Sequence, residues 1–116
     1  MTKIIYYTTA KGENPISDFL DNLSSKQQSK LLRATSYIEA YGLISILPHV
    51  KKLIGTPFWE IRILGKDNLR IIYVSVLADH VLLLHGFIKK TQKTSPRDIQ
   101  TAILRYNDWV KRKNNP

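Results

Sequence analysis

Between Phe58 and Ile88 the chain carries three strand-length apolar runs, roughly 58–64, 68–76 and 81–88, parted only by Gly65-Lys66-Asp67-Asn68 and Ala78-Asp79-His80. Links this short join antiparallel neighbours, because a parallel return needs a crossover of roughly a dozen residues or more. The three runs therefore form a meander, and the rest of the chain has to pack around it. Side chains alternate along a strand, so Glu60 and Arg62 share one face while Trp59, Ile61 and Ile63 share the other.

The flanking segments change period. Ile4-Ile5-Tyr6-Tyr7-Thr8-Thr9 is rich in β-branched and aromatic residues and precedes Gly12 and Asn14-Pro15, which marks a strand ending in a turn. From Pro15 the apolar residues Ile16, Phe19, Leu20 and Leu23 follow helical spacing. Ser24 or Ser25 caps a second helix with Leu31, Leu32, Thr35, Ile38 and Tyr41 on one stripe, stopping at Gly42. After a linker holding Pro48, His49, Gly55 and Pro57 comes the meander. Ser95-Pro96-Arg97-Asp98 then starts a third helix with the stripe Ile99, Ala102, Ile103, Tyr106, Trp109 and Val110. Asn114-Asn115-Pro116 is expected to fray.

This order implies one α+β domain over 1–116. It has a small, mostly antiparallel sheet, built from the N-terminal strand and the three-strand meander, with a helical hairpin on one face and a C-terminal helix. The helices are expected on one side of the sheet, leaving a face from which Glu60, Arg62, Arg70 and Lys90 project.

Charge narrows the partner. The 116 residues carry a formal +9 with pI near 9.9. Residues 1–50 hold five bases against four acids and residues 51–116 thirteen against five, so +8 of the charge lies in the second part. Such asymmetry favours an acidic partner, nucleic acid foremost, over the blander reading of a solvated basic face. There is no cysteine, which excludes disulfides, thiolate metal sites and Cys nucleophiles and suits a reducing cytoplasm. Neither a signal-like nor a membrane-length apolar stretch is present, so a cytoplasmic location away from membranes is expected.

His49, His80 and His85 are not at ligand spacing, and the five glycines are dispersed, so neither a metal, a phosphate loop nor any other cofactor is expected. What remains is a set of fixed cations with one carboxylate among them. RNA can be cut without metal if one group removes the 2′-hydroxyl proton, another neutralises the pentacoordinate phosphate and a third helps the 5′-oxygen leave. Arg62 and Arg70 suit the second task because a guanidinium fork meets two phosphate oxygens, and Lys90 suits the third. Glu60 is either the proton acceptor or one half of an ion pair with Arg62 or Lys90. His49, Lys51, Lys52, Lys89 and Lys93 are expected to hold RNA. His85 reads as a hydrogen-bonded, half-buried histidine, and Trp59 and Trp109 as core residues rather than base-stacking platforms. A bulge in the last strand would exchange the orientations of Lys89 and Lys90.

Trp59-Glu60-Ile61-Arg62, the Arg70-x-x-Tyr73 pair and Leu84-His85-Gly86-Phe87-Ile88-Lys89-Lys90-Thr91-Gln92-Lys93-Thr94, followed by Pro96, Ala102 and Arg105, resemble the phage-derived, HigB-like branch of the RelE toxin superfamily. The resemblance implies a type II toxin that cleaves messenger RNA on the ribosome and is silenced by an antitoxin, in this branch a HigA-like helix-turn-helix protein. It implies catalytic roles for Glu60, Arg62, Arg70 and the Lys89/Lys90 pair. Relatives place a Tyr or His near the C-terminus as acid or base, where this chain offers only Tyr106. Glu60, His49 and a lysine therefore all stay candidates for proton transfer. The alternative is a basic nucleic-acid-binding module that blocks translation without cutting.

Overall fold

The computed structural model describes residues 2–63, 65, 68–90 and 93–114. Leu64, the turn residues Lys66 and Asp67, the segment residues Thr91 and Gln92, and the fraying expected at Asn115-Pro116 lie outside the described residues. Asn114 itself closes a helix.

The elements are β1 (Lys3–Tyr6), α1 (Pro15–Asp21), α2 (Ser25–Tyr41), a 3₁₀ segment (Leu43–His49), β2 (Val50–Lys52), β3 (Trp59–Arg62), β4 (Leu69–Val76), β5 (His80–Ile88) and α3 (Pro96–Asn114). Local chemistry sets the boundaries. Asn14 accepts from Ser17 N at 3.0 Å ahead of Pro15, and Ser24 forms a reciprocal capping box with Gln27. Gly42 ends α2 at φ 81°, a conformation costly for a residue with a Cβ.

The meander is present as β3, β4 and β5, within a five-stranded sheet of order β1-β5-β4-β3-β2. β1 runs parallel to β5 and the other pairings are antiparallel. β2, inside what the sequence presents as a linker, pairs Lys51 with Glu60 and Lys52 with Trp59. Three residues are too few to show a period, so nothing local marks that strand in the sequence.

The expectation of helices on one face is corrected. α1 and α2 cover one side, where Ile16, Leu31, Ile38, Ile61, Ile71, Tyr73, Val81 and Leu83 pack together. α3 lies on the other, with Ala102 against Phe58, Ile72, Val74, Leu82, Leu84 and Phe87. Ile71 to Val74 and Val81 to Leu84 are all buried. Continuous apolar runs of this sort mark strands covered on both faces, whereas a one-sided sheet alternates. Glu60, Arg62 and Arg70 lie on this second face, at the edge of the α3-side core. No described helix is long and apolar enough to cross a membrane.

Candidate functional site

Register decides which bases meet. Arg62 pairs with Arg70 and Arg70 with Phe87, while Glu60 pairs with Ile72 and Ile72 with His85. Tyr73 then pairs with Leu83, so Leu84 has no partner and forms a bulge in β5. Beyond it the parity shifts, and His85, Phe87 and Lys89 join the face of Glu60, Arg62 and Arg70. Lys89 N donates to Asn68 O at 2.9 Å, extending the ladder past Ile88. Lys89 is thus the lysine that turns toward Glu60, and Lys90 is exposed.

Glu60 differs from the expected surface carboxylate: it is fully buried. Its Oε1 lies 3.3 Å from Arg70 Nε and 3.6 Å from Lys89 Nζ, and its Oε2 accepts the Thr94 hydroxyl. Its ion-pair partners are Arg70 and Lys89 rather than Arg62 or Lys90. The Arg70 and Lys89 side chains are only 13% and 10% exposed, so the carboxylate fixes two cations while Thr94 ties the following segment over it. Arg70 Nη1 also donates to Leu69 O at 2.9 Å, which orients the fork further.

Two hollows flank this clamp. One, of about 360 Å³, is lined by His49, Arg62 and Arg70 together with Pro48, Ile63, Gly65 and Asn68. The other, of about 260 Å³, is lined by Lys89, Lys90 and Lys93 with Phe87, Ser95 and Asp98. His49, Arg62, Arg70, Lys89, Lys90 and Lys93 are therefore brought to one end of the sheet, around a buried negative charge. Lys51 sits opposite Glu60 in register and is exposed, outside both hollows. Lys52 is on the other sheet face. Its ammonium donates to Thr56 O and, at 3.5 Å, to Phe58 O, and lies 5.9 Å from the Trp59 ring centroid. Trp59 is 37% exposed rather than core, since β2 ends beside it; Trp109 packs partly buried on the α3-side cluster.

A second polar network anchors α3. Ser95 Oγ accepts from Asp98 N at 3.1 Å and donates to Asp98 Oδ2 at 2.7 Å, while Asp98 Oδ1 meets His85 Nε2 at 2.7 Å. Arg105 Nη1 donates to Leu84 O at 2.9 Å and to His85 Nδ1 at 3.4 Å. An arginine can only donate, so His85 is neutral with its proton on Nε2. Burial lowers its pKa, with Arg105 adding to that effect and Asp98 opposing it. At the far end the Tyr7 hydroxyl donates to Asp108 at 2.7 Å and holds that carboxyl below its usual range. Tyr106, the C-terminal candidate for acid or base, packs edge-on against Phe58 at 5.6 Å and reaches neither hollow.

No period or spacing in the sequence marks Thr94, Asp98 or Arg105 as a site residue. Ser95 and Asp98 carry the spacing of a helix cap, but no local pattern signals that Thr94 reaches Glu60, 34 positions away. Among the described residues no group of three or more His, Asp or Glu side chains is placed to hold a metal ion.

A family model described as phage derived protein Gp49-like (DUF891) matches residues 18–107, from within α1 to well into α3 and across the whole charged end of the sheet. No curated protein matches the chain.

Proposed function

This chain belongs to the Gp49-like family of phage-derived proteins, a RelE-like, toxin-like group, and from that premise we propose that it is a metal-independent endoribonuclease of a type II toxin–antitoxin pair. The observation that carries the proposal is the convergence of His49, Arg62 and Arg70 on one hollow, with Lys89 fixed next to it through Glu60.

In this reading Arg62 and Arg70 hold the scissile phosphate and offset the charge that grows on it. Glu60 has both oxygens engaged inside the protein, so it positions Arg70 and Lys89, and His49 on the hollow wall takes the 2′-hydroxyl proton. The 2′-oxygen then bonds to phosphorus as the bond to the 5′-oxygen breaks. Lys90 returns a proton to that leaving oxygen, which gives a 2′,3′-cyclic phosphate and a 5′-hydroxyl end. Lys51 and Lys93 extend the cationic track for ribosome-bound messenger. The HigB-like branch, with a helix-turn-helix antitoxin, is part of the same proposal.

The burial of Glu60 favours a second reading, a basic module that binds RNA and blocks translation uncut. It predicts affinity that falls steeply with salt and no new ends. Induction of the wild type, Arg62→Ala and Arg70→Ala, with mapping of transcript 5′-ends, separates the two. Growth arrest with new 5′-hydroxyl ends is expected from the wild type only. Arg62 is exposed, so its variant stays folded, and cleavage unchanged in both variants would overturn the mechanism.

A further inference from the structure

A third cavity, of about 290 Å³, opens between α2, the 3₁₀ segment and the end of β3. Its floor is apolar, formed by Ala34, Ile46, Ile61 and Ile63, and its rim carries Lys30 and Arg33. Tyr37 stands at its side, 48% exposed, with its ring 6.2 Å from that of Tyr41. Ser45, whose hydroxyl donates to Gly42 O at 2.7 Å and keeps its lone pairs, completes the wall.

Three residues, His49, Arg62 and Ile63, line both this groove and the hollow of Arg62 and Arg70. The Lys30 ammonium also reaches over Gly65, a wall of that hollow, where a side chain on Gly65 would collide with it. The groove and the hollow thus share a wall, with Arg62 at the junction, Lys30 beside it and no acidic side chain among the described lining residues. An apolar groove with an exposed aromatic wall and a cationic rim, next to the hollow of Arg62 and Arg70, has the chemistry of a nucleobase subsite.

We infer that the α2–β3 groove receives the base of the nucleotide next to the phosphate held by Arg62 and Arg70, stacked against Tyr37, with Lys30 and Arg33 on its edge or its own phosphate. This inference rests on the proposed RNA chemistry and adds to it the site that reads a base. At about 290 Å³ the groove falls just under the roughly 300–1,000 Å³ of ligand pockets, a size that suits a single base.

The test uses the full chain with single-stranded ten-mers of adenylate, cytidylate and uridylate, binding followed by fluorescence anisotropy and amide shifts by NMR. Wild-type protein is expected to prefer one of them, moving the Ala34, Tyr37 and Ile46 amides, which inorganic phosphate alone leaves in place. Tyr37→Ala and Arg33→Gln alter exposed positions and keep the fold. Tyr37→Ala should weaken binding about tenfold and level the preference among the three, while transcript cleavage persists at less selective positions. RNA bound and cut by the wild type, with affinity and preference unchanged in Tyr37→Ala, overturns the base subsite and leaves the nuclease standing. Groove amides that respond to an acidic, leucine-rich peptide and not to RNA also overturn it, in favour of a protein docking site. Failure of the wild type to bind or cut any RNA removes both readings.

Discussion

Replacing Glu60 with Gln removes one negative charge from the most buried ionic contact at the charged end of the sheet and leaves the volume nearly unchanged. At 3.3 Å from Arg70 and 3.6 Å from Lys89, each attraction is about 5 kcal/mol at an effective dielectric of ~20, before the cost of desolvating the ions. That cost cancels much of it, but the variant does not recover it, because the two cations stay mostly enclosed without their counter-ion. Breaking a buried pair in this one-sided way typically costs about 3–5 kcal/mol. Arg70 and Lys89 keep 13% and 10% side-chain exposure and so regain some hydration, which points to the lower end, about 3 kcal/mol. A domain of this size has roughly 5–15 kcal/mol to lose. Urea unfolding of wild type and Glu60→Gln, followed by tryptophan fluorescence, measures the difference from the midpoint at constant slope. A surface carboxylate acting only as a base would instead leave stability within about 0.5 kcal/mol and abolish cleavage. That pattern would refute the clamp.

Two further outcomes follow from other contacts. His85 is held neutral, its pKa below 6.5, so the unfolded chain takes up a proton more readily than the folded one. Its contribution is then complete above about pH 6.5 and declines as pH falls toward the folded-state pKa. Urea titrations between pH 7.5 and 5 should show this slope flattened in His85→Asn, and NMR should find the proton on Nε2; a ring charged at pH 7 would contradict it. Gly86 faces α1, where a Cβ would run into the Phe19 ring. Gly86→Ala should therefore cost about 1–3 kcal/mol in chemical denaturation, and a neutral result would mean that Phe19 has room to turn away.

Much of this molecule is legible along the chain, because the information is local. The meander follows from turn chemistry and run length, α2 from the Ser24 capping box and Gly42, and α3 from Ser95-Pro96 and its apolar stripe. The same period-two argument places Glu60 and Arg62 on one face. The unbroken apolar run Val81-Leu82-Leu83-Leu84 also signals a sheet covered on both sides, although an open face is the expectation. β2 carries no such signal.

What sequence determines by itself is therefore the order and type of the elements, the basic surplus of the second half, and the set of residues able to meet a phosphate. Their arrangement was decided in three dimensions. The Leu84 bulge selects Lys89 over Lys90, the Lys51–Glu60 register sends Lys52 to the opposite face, and Thr94 with two cations turns Glu60 from a surface acid into a buried clamp. The physical reason is that a periodicity fixes which side of its own strand a residue occupies, whereas contact between strands depends on register and on long-range packing that no short window of sequence contains.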